Sequence, residues 1–245
     1  MTDPLAEFRL DGEVAVVTGG SSGLGKVVAE AFVAVGARVA NFDLAAKGDD
    51  AYCVDVADEA QVKAAFERVV AQHGRLDVLF NNAGIAIRKP TTETTMDDWS
   101  KVVGVNMTGV FLCAREAGRH MLAAGRGGRI VNTASIMGFS GGGLYPNLSY
   151  QATKGAVVNI TRALAVEWAR QGIRVNGIAP TWVRTPLTRG ITENPELVRR
   201  IEQITPMGRM AEPQEIVGAV LFLATRASAM VTGHVLAIDG GFLAQ

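Results

Sequence analysis

Cysteine, histidine and net charge are what this 245-residue chain has least of: two Cys, three His, and 24 Lys plus Arg against 24 Asp plus Glu. Cys53 and Cys113 stand far apart, and neither belongs to a Cys-x-x-Cys or Cys…His spacing. That excludes a disulfide framework and a zinc-type site, and fits a reducing compartment. His73, His120 and His234 are isolated from one another, so they read as surface or helix-end residues and no metal is expected. With the charges balanced, no long-range field recruits nucleic acid or an anionic membrane surface, and neither is an expected partner. The opening stretch MTDPLAEFRL carries acidic residues and no apolar signal region, and nowhere do about 18 apolar residues follow one another. A soluble cytoplasmic protein is the expectation. Low-complexity tracts, linker-like runs and internal repeats are also missing, so residues 1–245 read as one domain.

Glycine is abundant, at 28 residues, and glycine belongs where a chain turns tightly or approaches something closely. The apolar, β-branched run 13–18 ends in a glycine cluster and predicts a buried strand; Leu24, Val27, Val28, Ala31 and Phe32 then recur at helical spacing over 23–35. Alternation continues, with strands at 37–42, 51–54, 76–81, 129–133 and 173–178 and helices at 59–73, 95–124 and 150–170. Strands apolar on both faces, alternating with amphipathic helices, define a doubly wound α/β fold with a parallel sheet. Residues 184–210 break the rhythm with Pro186, Gly190, Pro195, Pro206 and Gly208, a composition that suits a substrate lid.

Gly19, Gly23 and Gly25 fall between the first strand and the first helix, where they allow a tight turn, close approach to a diphosphate and close helix–sheet packing. Their spacing, G-x-x-x-G-x-G, departs from the plain dinucleotide fingerprint. Asp43 lies 18 residues beyond Gly25 at the end of the second strand, close to the roughly 20 at which an acid meets the adenine ribose 2′-hydroxyl. A carboxylate there repels a 2′-phosphate, and Ser21 and Ser22 supply no arginine to pair with one, so NAD is favoured over NADP. Asp55 either accepts from the adenine amino group or forms a strand-end turn.

Tyr150 and Lys154 sit at i and i+4 on one predicted helix face. A nearby ammonium favours phenolate and lowers the tyrosine pKa toward a range useful for proton transfer. Ser135 closes the strand 129–135, at the carboxyl rim where open α/β sheets bind ligands; Asn81-Asn82-Ala83-Gly84 ends the preceding strand at the same rim. Asn106 is a poor helix former in mid-helix and invites a bend or a bound water.

Occurring together and in this order, the glycine turn, Asn-Asn-Ala-Gly, Asn106, Ser135 and Tyr-x-x-x-Lys resemble the short-chain dehydrogenase/reductase family, single-domain branch, from about residue 10 onward. The resemblance implies a Rossmann-type, seven-stranded parallel sheet with helices on both faces. It also implies a tetrad: Tyr150 as general acid/base, Ser135 holding the substrate oxygen, Lys154 binding the nicotinamide ribose and lowering the Tyr150 pKa, and Asn106 fixing a relay water. NAD(H) would be held by Gly19, Ser21, Ser22, Gly23, Leu24, Gly25, Asp43, Asp55, Val56, Asn82, Ala83, Gly84, Tyr150, Lys154, Pro180, Val183 and Thr185. Substrate would meet Ser135, Gly142, Tyr150 and Trp182. Similar proteins are homotetramers built through two long central helices and the C-terminal strand.

The chain departs from the family in two places. Ser135 and Tyr150 are 15 positions apart, more than is usual in the family, and the insert between them carries Gly141, Gly142 and Gly143. Tyr145 is no alternative base, since position 149 is serine and not lysine. The family's usual Pro-Gly after the sixth strand is here Pro180-Thr181, followed by Trp182, either a wall of the substrate pocket or a strut beneath the lid. The expected reaction is NAD-dependent interconversion of a secondary alcohol and a ketone, on a polyol, sugar acid or simple alcohol. Alternatives are a 3-hydroxy acid dehydrogenase, a 3-oxoacyl-carrier-protein reductase, and a non-catalytic NAD sensor or scaffold. Arg184, Arg189, Arg199 and Arg200 around the lid either recognise a carboxylate or form a solvated face.

Overall fold

All five residues of Val14–Thr18 (β1) are buried, because the strand is covered on both faces: Val14 and Val16 enter one core, Ala15 and Val17 the other. In the computed structural model, which describes residues 3–48 and 50–245, β1 is central. The N-terminal reading rests partly on Met1 and Thr2, which lie outside the described residues. β1 pairs in parallel with Arg38–Asp43 (β2) on one side and Val78–Asn81 (β4) on the other. Ala51–Cys53 (β3) extends the first edge; Gly128–Thr133 (β5), Ile173–Pro180 (β6) and Val235–Ile238 (β7) extend the second. The order is 3-2-1-4-5-6-7, parallel throughout. Between β1 and β4 the winding reverses, and at such a switch point the loops at the carboxyl ends part into a crevice. Thr18 fastens the two sides there, its Oγ1 accepting from the backbone N–H of Asn82 at 2.8 Å and of Ala83 at 2.9 Å.

Glu59–His73 (α2), Gly109–Ala124 (α4) and Leu148–Trp168 (α5) cover one face with Phe66, Cys113, Met121 and Trp168. Gly23–Ala34 (α1) and Gln214–Ala224 (α8) cover the other with Phe32, Ile216 and Val220. α2 has its predicted bounds because both ends are signalled. The Asp58 carboxylate accepts from Ala60 and Gln61 N–H at the start, and Gly74 at φ +72° ends it. The predicted helix 95–124 is three pieces: Met96–Val103 (α3), a π-turn Gly104–Thr108, and α4. Asn106 sits inside the π-turn, which supplies the bend its residue type invites. α8 went unread in the sequence although Ile216, Val220, Leu223 and Ala224 recur at helical spacing.

The segment 184–210 is ordered: a short turn Pro186–Thr188, Arg189–Thr192 (α6) and Pro195–Ile204 (α7). Ile191, Ile201 and Met210 from it bury against Ile136, Met137 and Trp182 in a separate apolar cluster. The prolines and glycines mark its turns, while its apolar underside packs down over the sheet rim.

Candidate active site

A cleft of about 330 Å³ opens at the switch point, within the size range of ligand pockets. At one end Gly19, Ser22, Gly23 and Leu24 face Asp43, Asp55 and Val56; the middle is walled by Asn82, Ala83 and Gly84; the other end holds Ser135, Tyr150, Lys154, Pro180, Trp182, Val183 and Thr185. The expected residues therefore meet in one place, with four exceptions. Ser21, Gly25, Asn106 and Gly142 do not line it, and each has a physical reason.

Ser21 works from behind: its N–H donates to Asp43 Oδ2 at 3.1 Å, and Ala45 N–H donates to Oδ1 at 3.0 Å. The carboxylate is thereby aimed at the end of β2. Gly25 is buried at the foot of α1, where a Cβ would stand 2.1 Å from the Gly19 carbonyl oxygen. Its part is to let the helix approach the glycine turn. Gly142, expected at the substrate, is set back behind Met137, whose sulfur would lie 2.5 Å from a Cβ there. Met137, Tyr145 and Asn147 form the wall in its place. Asp55 lines the cleft and also accepts from Ala57 N–H at 2.9 Å, so it is a turn former as well.

Asn106 is fully buried. Its Oδ1 accepts from Ile85 N–H at 2.8 Å, while its amide donates to Ile85 O at 2.9 Å and Thr153 Oγ1 at 3.3 Å. Both amide donors are used, which leaves a lone pair on Oδ1 as the side chain's free position. Gly84 keeps the space beside it clear, since a Cβ there would stand 3.4 Å from that Oδ1 and 3.8 Å from Lys154 Nζ. Ser135 lies two residues past the end of β5 rather than within it, capping a short turn by accepting from Met137 N–H at 3.1 Å.

Lys154 Nζ donates to the Thr133 carbonyl at 2.6 Å and stands 5.5 Å from the centre of the Tyr150 ring. The i, i+4 pair is therefore formed. Burial pushes Lys154 down to about 8. Burial also pushes Tyr150 up to about 12, opposed by the neighbouring Ser135 hydroxyl; Tyr145 adds to the rise, and the positive charge of Arg88 opposes it. The sequence pointed to Lys154 as the neighbour of Tyr150, and the two do stand side by side. Arg88 was not singled out in the sequence at all. It follows Asn-Asn-Ala-Gly by four positions with no spacing signal, and only the fold brings it to the cleft.

Thr181 takes the place of the family glycine without strain. Its N–H donates to Ile238 O at 3.1 Å, and among the described residues no non-glycine has positive φ. The turn beyond is pinned by Thr188 Oγ1, which donates to Val183 O at 2.6 Å and accepts from Thr185 N–H at 3.0 Å. Trp182 lines the cleft and also packs against Ile191 and Ile201 of the segment 184–210. Of the two readings for the arginines of segment 184–210, carboxylate recognition or a solvated face, the second fits their placement outside the cleft: Arg184 pairs with Glu212 at 3.3 Å, Arg199 with Glu196 at 2.5 Å, and Arg189 and Arg200 are exposed.

A parallel sheet with a glycine-cradled crevice, and a Ser, Tyr and Lys gathered at its rim, define an oxidoreductase of the dinucleotide-binding class. A family model described as enoyl-(acyl carrier protein) reductase matches residues 19–243. The chain is 41% identical to D-threitol dehydrogenase of Mycolicibacterium smegmatis, over 96% of this chain and 95% of that one. It is 43% identical to galactitol 2-dehydrogenase (L-tagatose-forming) of Cereibacter sphaeroides, over 96% of each. Among solved structures, a short-chain type dehydrogenase/reductase from Mycobacterium marinum superposes with a TM-score of 0.95 at 33% identity, covering 99% of this chain and all of that one. A gluconate 5-dehydrogenase from Burkholderia cenocepacia, solved with NADP and tartrate, gives 0.91 at 34% identity, covering 99% and 100%. The chain belongs to the short-chain dehydrogenase/reductase family, and it is an oxidoreductase acting on CH–OH groups, interconverting secondary alcohols and ketones.

Proposed function

We propose that the protein is an NAD-dependent dehydrogenase of a polyol or sugar acid. The observation that carries the reading is the pairing, in one cleft, of the Asp43 carboxylate beside the glycine turn with Tyr150, Ser135 and Lys154 at the far end. The cleft fits a dinucleotide. Gly19 at φ +67° and Gly23 at φ +52° hold a turn that side chains would strain, and a Cβ on Gly23 would crowd Thr185 at 3.3 Å. Asp43 suits a ribose 2′-hydroxyl and repels a 2′-phosphate, which favours NAD over the NADP held by the Burkholderia relative.

The nicotinamide supplies the hydride acceptor and donor. Ser135 binds the substrate oxygen. In oxidation Tyr150 takes the hydroxyl proton, and in reduction it returns it. Lys154 binds the ribose hydroxyls, and the free lone pair on Asn106 Oδ1 holds a water that passes the proton on. Val183 and Thr185 orient the carboxamide. The similarity to a threitol dehydrogenase and a galactitol dehydrogenase supports a polyhydroxylated substrate.

Among the described residues no helix is long and apolar enough to cross a membrane, in keeping with a cytoplasmic enzyme. Phe111 on α4 and Val166 on α5 are 46% and 83% exposed, which favours assembly as a homotetramer through these helices; light scattering that returned a monomer would overturn that. The function is tested by following NADH absorbance with NAD and a panel of polyols and sugar acids. The wild type is expected to turn over at least one and Tyr150→Phe none. NADH binding without turnover of any substrate would instead mark a sensor.

A further inference from the structure

Among the described residues four charged side chains line the cleft: Asp43 and Asp55 at the glycine-turn end, Lys154 in the floor and Arg88 beside the substrate wall. Lys154 is engaged with the Thr133 carbonyl. Arg88 is different. It is half-buried, and no carboxylate pairs with it among the described residues. Of its five N–H donors, one is used, Nη2 donating to Leu187 O at 3.3 Å. Its Nε is sealed from solvent without a partner, and its guanidinium stands 5.4 Å from the centre of the Tyr145 ring. A fixed cation in a partly desolvated wall is costly unless an anion or several acceptors meet it. Nothing in the described protein does.

We propose that Arg88 is the substrate-specificity residue of this enzyme and binds a carboxylate at the end of a hydroxy-acid substrate remote from the reacting carbon. Three observations place it for that task. Arg88 lines the same cleft as Ser135 and Tyr150, so one ligand can meet all three. Tyr145, whose ring centre is 5.4 Å from the guanidinium, is itself fixed by the Trp182 indole, which donates to its hydroxyl at 2.8 Å; the cation therefore stands over a braced aromatic ring. Among the described residues Arg88 and Lys154 are the cations lining the cleft, and Lys154 is engaged with Thr133, so the remaining charge matches a carboxylate rather than a phosphate dianion. The arginines on the lid do not compete, because Arg184 and Arg199 already have acidic partners.

The inference deepens the proposed dehydrogenase function and rests on it. The test compares threitol with threonate, which differ in a terminal carboxylate, on wild type, Arg88→Met, Arg88→Lys and, as a control outside the cleft, Arg184→Met. Wild type is expected to show the lower KM for threonate. Arg88→Met should raise that KM by about tenfold or more while changing the threitol KM by less than about threefold, with any change in kcat common to the two substrates, and Arg88→Lys should recover part of the KM loss. Arg184→Met should behave as wild type. Titration calorimetry of threonate onto the NADH complex supplies a readout without turnover, and should show binding that Arg88→Met loses. Equal sensitivity of threitol and threonate to Arg88→Met, or a wild-type preference for threitol, would overturn the carboxylate subsite while leaving the dehydrogenase intact. Absence of threonate binding, together with no turnover of either compound or of any other polyol or sugar acid in the panel, would overturn both.

Discussion

The indole Nε1 of Trp182 donates to the hydroxyl of Tyr145 at 2.8 Å. This bond joins the loop after β6 to the glycine-rich segment before α5, two stretches that share no sheet pairing. Trp182 is also edge-on to Phe242, with ring centres 5.4 Å apart, so the substrate wall is tied to the C-terminal tail. Tyr145→Phe would leave the indole N–H buried without a partner, a cost of about 1–3 kcal/mol. The expected outcome is a lower melting temperature and a raised KM for the alcohol, with the KM for the cofactor unchanged. Thermal denaturation and steady-state kinetics on the one variant check both.

Lys154 carries a pH signature. Its pKa is about 8 in the fold against 10.5 when free. Below pH 8 both folded and unfolded chains are protonated there, and the full burial penalty is present. Between 8 and 10.5 the unfolded chain holds more protons, so this group makes stability rise with pH. Tyr150, raised from 10.0 to about 12, acts in the opposite sense, but only above pH 10. Lys154→Met should therefore abolish turnover yet stabilise the protein at pH 7 by about 1–3 kcal/mol. That advantage should shrink by pH 9.5. Urea unfolding at the two pH values measures it, and identical curves for the two proteins at pH 7 would refute the buried ammonium.

Cofactor choice is expected to turn on Asp43. Asp43→Ser removes the carboxylate that Ser21 and Ala45 hold in place, and with it the repulsion of a 2′-phosphate. The ratio of kcat/KM for NAD to that for NADP should fall by about tenfold or more, corresponding to about 1.4 kcal/mol. An unchanged ratio would locate the discrimination elsewhere.

Gly25 is the glycine whose loss should cost most in the fold. A Cβ 2.1 Å from the Gly19 oxygen and 2.7 Å from Asn82 Nδ2 forces α1 away from the turn, with rigid backbone on the other side of the contact. Gly25→Ala should destabilise by about 1–3 kcal/mol and weaken dinucleotide binding. Gly141→Ala, where nothing lies within 4 Å, should do neither.

Much of this site was legible before any coordinate, because the residues that build it announce themselves by type and place. Gly19, Gly23, Asp43, Ser135, Tyr150 and Lys154 each follow a strand or open a helix, and strand ends are readable from apolar runs. Asn106 was legible as a misfit in a helix, and a π-turn accommodates it. What escaped was set by loops. Arg88 reaches the cleft through the path of a loop that no periodicity describes, and Gly142 is kept from it by the volume of Met137. The four arginines of segment 184–210 cluster in sequence, yet acidic neighbours hold Arg184 and Arg199, and Arg189 and Arg200 face solvent.

The position of β1 at the centre of an all-parallel sheet bears on how the chain is made. No hairpin links any two of the paired strands, so no pairing forms by simple local zipping. Ala15 leaves the ribosome early but must wait for Val78, its partner across the switch point, which is several seconds of synthesis at about 5–20 residues per second. During that interval an apolar strand edge stands open. Refolding followed by stopped flow should accordingly be slow for a chain of this length, and yields should fall as protein concentration rises.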